Sequence, residues 1–340
     1  ARAHADAEQV HLASATLLGP LDELIATRKA AVEATERQAE KALQSIQNVF
    51  LKAFAILVAV TLVPVGIKAF WYWFVARLAE KQRPIRLRPG AVGMSEAGAS
   101  DGSGIAPSKK MSAVSQEIVL KAREELLVHP EYLQSSADQG RKQTQWLLNR
   151  KFWLTSIAAQ MVALDRIRDA DGETFVISSK NDAFAEVGII DLPDGSAFVL
   201  QPRNLVGVVQ SIDRPTRISR KWNWSLMAFI TLQFRYLIFD GPGKLLVQGC
   251  RGVRMEQAGS GRSIDQAATF GFSANLDYSP RRSETFGAYL LGTRSLFNDR
   301  FSGEPGVYVY EEMPYFGRKS GLTGRGFEGL TDGVLKVFGI

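Results

Sequence analysis

The stretch AFAILVAVTLVPVGIKAFWYWFVA, Ala53 to Ala76, limits this chain more than any other part of it. At a rise of about 1.5 Å per residue it makes roughly 36 Å of helix, against about 30 Å for the hydrocarbon core of a bilayer. Its one ionisable residue, Lys68, lies off centre beside Phe70, Trp71, Tyr72, Trp73 and Phe74. A lysine stem can carry its charge to the interface, where aromatic side chains collect. Pro64 and Gly66 weaken an exposed soluble helix but are tolerated within a membrane helix. The sequence therefore predicts a transmembrane helix over 53–76 rather than the core helix of a soluble domain. Phe54, Leu57, Leu62, Trp71, Trp73 and Phe74 are its expected lipid anchors.

The flanking charge sets an expected orientation. Arg77, Lys81, Arg83, Arg86 and Arg88 follow the run, whereas only Lys41 and Lys52 precede it over a comparable distance. The positive-inside rule places the C-terminal side in the cytoplasm, with Arg77, Lys81 and Arg83 as the basic anchor and residues 1–52 facing out. An inner or plasma membrane is the expected location. Anionic headgroups are the expected partner of the basic run, at about 1 kcal/mol per residue near the surface. The opening ARAHADA is compatible with a removed signal peptide or with a trimmed chain.

The remainder has the composition of a globular protein: of 340 residues, 46% are hydrophobic and 22% charged. The net charge of +6 and a pI of about 9.4 come partly from the basic run, so they do not by themselves indicate nucleic acid. The single cysteine, Cys250, excludes an internal disulfide, and His4, His11 and His129 are too few and too dispersed to complete a zinc cluster. No cofactor is expected.

Before the span, Leu21 to Phe50 is rich in helix formers and lacks Gly and Pro. Ile25, Val32, Ala39 and Ile46 recur every seven residues, a weak coiled-coil seam interrupted at Arg28 and Thr35. It fits either a solvated amphipathic helix or a helix that meets a second copy or another partner. Residues 77–110 combine the basic run with a Gly-, Ala-, Ser- and Pro-rich linker. Residues 111–170 are expected to be helical in two pieces broken at Pro130, with Trp146 to Leu164 covering the next domain. From about 171 to 340, short β-branched and aromatic runs separated by turn residues predict an antiparallel sandwich or barrel. Within it, LQFRYLIFDGPGKLLVQG is expected to be a hairpin turning at Asp240 to Gly243, and the final GLTDGVLKVFGI a packed strand.

No catalytic pattern emerges. GPGK at Gly241 lacks the spacing and the Ser or Thr of a phosphate loop, and GSGRS at Gly259 lacks the strand-to-helix setting. There is no Gly-x-Ser-x-Gly elbow, and carboxylate hydrolysis would require pairing in space that the spacing cannot supply. Arg251, Arg254 and Arg262 are the candidates for polyanion binding, set against a solvated sheet face with acidic neighbours, which the absence of a dense basic block favours. Gly241, Gly243, Gly249 and Gly252 are the expected turn positions.

RYLIFDGPGKLLVQGCRGVRME, through Phe239, Gly241, Pro242, Gly243, Leu246, Val247 and Gln248, resembles the altered-inheritance-of-mitochondria β-domain family. The fold of that family is similar to the trp RNA-binding attenuation protein. The resemblance covers about Thr174 to Ile340. It implies tightly turned antiparallel strands, possible assembly into oligomers, and no catalytic centre, and no RNA- or tryptophan-binding motif carries over.

The expected fold class is thus an α+β membrane protein: an N-terminal helix, one transmembrane helix, a helical segment and a C-terminal antiparallel β-sandwich. The expected function is that of a non-catalytic scaffold or assembly module, assembled with itself or a partner protein through the 21–50 helix or the β domain. The alternatives are a tethered RNA- or small-ligand-binding module, with nucleic acid the weaker partner, and a carboxylate enzyme.

Overall fold

The computed structural model describes residues 2–94, 109–158, 160–179, 182–231, 233–303 and 305–313. The chain divides into two compact units, Ala1–Ile67 and Lys68–Ile340.

A helix, α1, runs Arg2–Phe70. Its backbone bonds widen to the i→i+5 pattern over Trp71–Val75, and it continues as α2, Ala76–Glu80. The most apolar 18-residue window of the helix has a mean hydropathy of 2.3, and none of it is buried. The heptad positions Ile25, Val32 and Ile46 are likewise exposed.

The strand pairings among the described residues of the second unit are all antiparallel. One seven-stranded sheet runs Ser112–Ala113, Ala185–Leu192, Gly243–Cys250, Leu205–Ser211, Glu124–Val128, Val162–Arg168, Arg141–Leu147. The other runs Arg217–Trp222, Arg235–Asp240, Ala197–Leu200, Thr269–Ser273, Val307–Glu311, Val253–Gln257, Lys109–Lys110. A core containing Leu164, Ile190, Leu245 and Val247 from the first sheet and Phe198, Leu237, Phe239 and Val309 from the second joins them. Behind the first sheet, Leu126, Ile167 and Leu246 pack with Phe175 and Ile177 of a three-stranded sheet. Behind the second, Tyr236, Ile238 and Phe272 pack with Tyr278 and Phe301 of a four-stranded one.

This arrangement corrects the helical expectation for 111–170. That region is mostly strand, with only a short turn at Arg150–Phe152 and the helix α3, Trp153–Ala158. The cause is burial on both faces of a central strand. In Val162–Arg168, Leu164 faces the core between the large sheets and Ile167 the core behind. Apolar residues on both faces erase the period of two and leave an i, i+3 spacing that imitates a helix.

The expected hairpin at Asp240 to Gly243 is also corrected. Arg235–Asp240 and Gly243–Cys250 lie in different large sheets, so Gly241 and the cis-linked Pro242 carry the chain between sheets. Leu192 to Ala197 makes the same crossing beside it, pairing Leu192 with Gly243 and Ala197 with Asp240. The corner is crowded: a Cβ at Gly241 would lie 2.3 Å from the Pro193 carbonyl oxygen. Gly243 and Gly252 have positive φ, and Gly249 lies within a strand, where a Cβ would meet the side chain of Val253.

The flexible-linker expectation, which covered 88–110, fails for the described 88–94 and 109–110, where Lys109–Lys110 pairs with Arg254 and Met255, and the basic run before it is also structured. Ile85–Arg86 pairs with Asp277–Arg282, Leu87 and Met94 are buried, and Arg86 and Arg88 form ion pairs with Asp277 and Asp240. The Ser- and Gly-rich stretch 95–108 and the terminal GLTDGVLKVFGI lie outside the described residues.

Candidate functional site

Two features of the second unit offer chemistry: the foot of the helix and a cleft at one corner of the large sheets.

At the foot, Tyr72 is buried and donates from its hydroxyl to the main-chain oxygen of Ser283 at 2.9 Å. Its ring meets those of Phe286 and Tyr289, both in the short helix α5, Phe286–Leu290. Lys68 donates to the main-chain oxygens of Leu290, at 2.7 Å, and Tyr289, at 3.4 Å. Arg282 lies over the rings of Tyr72 and Trp73, 4.5 and 5.3 Å from their centroids. One turn later, Ala76 and Ala79 are buried with Phe297, and Ile230 of helix α4, Leu226–Thr231, packs on them. The predicted anchors Phe54, Leu57, Leu62, Trp71, Trp73 and Phe74 are all exposed, from 39% at Trp71 to 68% at Phe74. Arg77, Lys81 and Arg83 are exposed and have no ion pair among the described residues.

The cleft, about 450 Å³, opens between Leu148–Lys151 and Pro215–Ile218. Leu127, Val208, Ile218 and Phe239 form its apolar floor, and Gln210, Thr216, Lys151 and Arg217 its polar rim. It narrows into an apolar pocket under α3, reaching Phe152, Thr155, Met161 and Leu237. Among the described residues no carboxylate lines either space.

The strand register explains what lies beyond. Ile218 pairs with Phe239, Arg220 with Leu237 and Trp222 with Arg235, so these alternate pairs share a sheet face. Arg220 sits over the Phe152 ring at 5.5 Å, and Arg235 over Trp222 at 5.9 Å. Arg235 is only 7% exposed and donates to the Thr155 hydroxyl, while its Nε has no hydrogen-bond partner. No carboxylate pairs with it among the described residues. Burial, and secondarily the charge of Arg220, push its pKa below the ordinary arginine value.

Glu125 supports the rim from behind. Almost fully buried, it accepts from Arg166 at 2.8 Å, Arg168 at 2.5 Å and the Gln210 amide at 2.7 Å. The Gln210 oxygen in turn accepts from the Thr216 backbone N–H at 3.1 Å. A rim so held can orient an anion. It presents no adjacent nucleophile and base.

The predicted polyanion residues do not stand as free cations. Arg254 pairs with Glu312 at 2.6 Å, Arg262 with Glu256 at 3.2 Å, and Arg251 lies over the Phe184 ring at 5.0 Å. The carboxylates of the enzyme alternative are likewise dispersed: Asp240 pairs with Arg88, Asp277 with Arg86, Glu284 with Arg294, and Asp299 accepts from Tyr278. Among the described residues no group of three His, Cys, Asp or Glu could hold a metal. Arg220 and Arg235 stand outside the polyanion candidates Arg251, Arg254 and Arg262. The available signal was Arg235 itself, a guanidinium inside the apolar run QFRYLIF.

No family model matches the chain. No curated protein matches it either. A crystal structure of a protein from Streptococcus pyogenes is similar to it with a TM-score of 0.41 and 13% identity, over 68% of this chain and all of that one. A likeness at that level carries no argument about fold or function.

Proposed function

We propose that this is a single-pass membrane protein that acts as a non-catalytic scaffold, presenting an antiparallel β-sandwich on the cytoplasmic side of its membrane. The observation that carries this reading is the long apolar helix, none of whose most apolar 18-residue window is buried. Leaving Phe54, Ile56, Leu57, Val60 and Leu62 in water forfeits about 1.5–3 kcal/mol for each side chain, a cost that lipid removes. The orientation rests on Arg77, Lys81 and Arg83, the basic flanking residues left without carboxylate partners among those described. The exposed seam at Ile25, Val32 and Ile46 fits self-association or a partner helix outside the membrane. The resemblance to the altered-inheritance-of-mitochondria β domain belongs to this reading as its fold expectation.

The test is topology. Single cysteines in place of Ala30 and Ser103, in a Cys250→Ser background, are treated on intact cells with an impermeant thiol reagent. Labelling only at position 30 is the expected result. Labelling only at position 103 inverts the orientation, and recovery of the protein in the soluble fraction removes the anchor.

The cleft favours a second reading, a tethered small-ligand module. An apolar floor beneath Lys151 and Arg217, with no lining carboxylate, suits an anion with an apolar body. A long-chain carboxylate such as oleate should raise the unfolding temperature of the full chain, and the Lys151→Ala, Arg217→Ala double variant should lose that gain. An equal gain in both proteins would dismiss the cleft as the site.

A further inference from the structure

We propose that the protein does not merely hang from its span: α5 with Leu291, and Trp222, Trp224 and Phe229 around the start of α4, form a collar that seats the β body in the membrane interface. This inference rests on the membrane-anchor reading and adds a second, independent contact with the bilayer.

The geometry is fixed by contacts along Lys68–Glu80. Lys68 and Tyr72 hold α5, and Ala76 and Ala79 hold α4 through Ile230. Phe229, the neighbour of Ile230, is 56% exposed and touches Phe234 edge-on. Phe234 meets Trp224, and Trp224 stacks on Trp222, so an aromatic file extends outward from the helix. Trp224 is 67% exposed and Leu291, just after α5, 76%. Exposed Trp73, Phe74 and Leu78 lie on the helix itself between these levels. Exposed apolar side chains held at two levels of one helix suit an interaction surface.

Depth decides the occupant. With Trp71 and Trp73 at the headgroup boundary, Lys68 lies about 4–8 Å deeper, Ala76 about 4–8 Å shallower and Ala79 about 9–12 Å shallower, at about 1.5 Å per residue. The interfacial layer is itself roughly 5–8 Å thick on each side. Leu291 therefore reaches the hydrocarbon edge, and Trp224 and Phe229 fall among the headgroups. Tryptophan is the residue suited to that layer.

The one charge placed deep is answered internally. The Lys68 ammonium is met by two carbonyl oxygens at the C-terminal end of α5 and by the Tyr289 ring, 5.5 Å from its centroid. Carbonyls at a helix C-terminus carry partial negative charge that attracts a cation. At the shallow level, Arg77, Lys81 and Arg83 meet anionic headgroups. The occupant is thus the interface of a bilayer containing anionic lipid.

The experiment places the full chain in nanodiscs of phosphatidylcholine and phosphatidylglycerol. Variants retaining Trp73 alone or Trp224 alone, and an environment-sensitive probe on Leu291→Cys in a Cys250→Ser background, are quenched by lipids with a nitroxide near the headgroup and by aqueous iodide. All three sites should be quenched severalfold more by the nitroxide lipid than by iodide. If Trp73 is quenched by lipid while Trp224 and position 291 remain open to iodide, the span stands and the collar is wrong. If Trp73 also escapes the lipid quencher, the anchor reading itself fails. Shielding of Trp224 and position 291 from both quenchers would overturn the collar in favour of a protein covering that surface.

Discussion

Lys68 and Leu290, 222 residues apart in sequence, are joined by a hydrogen bond of 2.7 Å from the lysine Nζ to the main-chain oxygen. The bond gives a cation inside an apolar helix a partner from the same protein. Lys68→Met removes the donor and leaves the α5 carbonyls unmet, a loss of about 1–3 kcal/mol in local stability. Hydrogen exchange of 286–291 in bilayers should quicken about five- to 160-fold at that cost. Protection unchanged from the parent chain would show that the bond holds nothing in place.

Glu125 is the acceptor for Arg166, Arg168 and Gln210 at once. Glu125→Gln leaves two guanidinium groups short of their counter-charge, and removing one partner of a buried pair costs roughly 3–5 kcal/mol. Arg166 and Arg168 are about 28% exposed, which screens their charge and places the expected loss at the lower end or below it. Chemical denaturation of the variant should show a lowered midpoint with little change in slope. An unchanged midpoint would count against the cluster.

Glu256 carries a pH dependence of definite sign. Burial pushes its pKa up, but hydrogen bonds from Tyr308, Tyr310 and Arg262 outweigh burial and leave it below the usual carboxylate value. Its contribution is therefore complete above the unfolded value, near pH 4.3, and disappears as pH falls through the lower folded value. Glu256→Gln should reduce stability near neutrality and flatten the acid limb of the stability curve. Parallel acid limbs in parent and variant would contradict the assignment.

Gly241 is needed for space. Its hypothetical Cβ lies 2.3 Å from the Pro193 oxygen and 3.0 Å from that of Leu192, both main-chain atoms that cannot swing aside. Gly241→Ala should cost about 1–3 kcal/mol through overpacking, read as a fall in the thermal midpoint. Gly172→Ala is a poor control because φ there is +76°, whereas Gly287, with nothing within 4 Å and no positive φ, is a fair one. Equal effects at 241 and 287 would remove the steric explanation.

The apolar run 53–76 could be read from the sequence because hydropathy and length are local quantities, and the structure has a helix there long and apolar enough to cross a membrane. Two of the four expected turn positions were visible for the same reason, since a glycine with positive φ at 243 or 252 answers a local demand of the backbone, whereas Gly249 lies within a strand. What the residues around Gly241 could not disclose was which strand would receive the chain. The FDGPGK segment has the form of a hairpin, and only the pairing of Gly243 with Leu192 and of Asp240 with Ala197 sends its arms into different sheets.

Helix and strand were confused at 111–170 because the code of alternation requires one wet face, and strands such as Val162–Arg168 have two dry ones. The basic residues teach the same lesson in charge. Arg254, Arg262, Arg86 and Arg88 are equivalent to Arg77 and Lys81 in composition, yet the fold brings carboxylates to the first four. The sequence by itself determined that this chain carries a long apolar helix and an antiparallel β part. Tertiary structure alone decided which cations stay unpaired, that Arg235 is buried without an acid, and that Leu290 answers Lys68, because each depends on side chains brought together from distant parts of the chain.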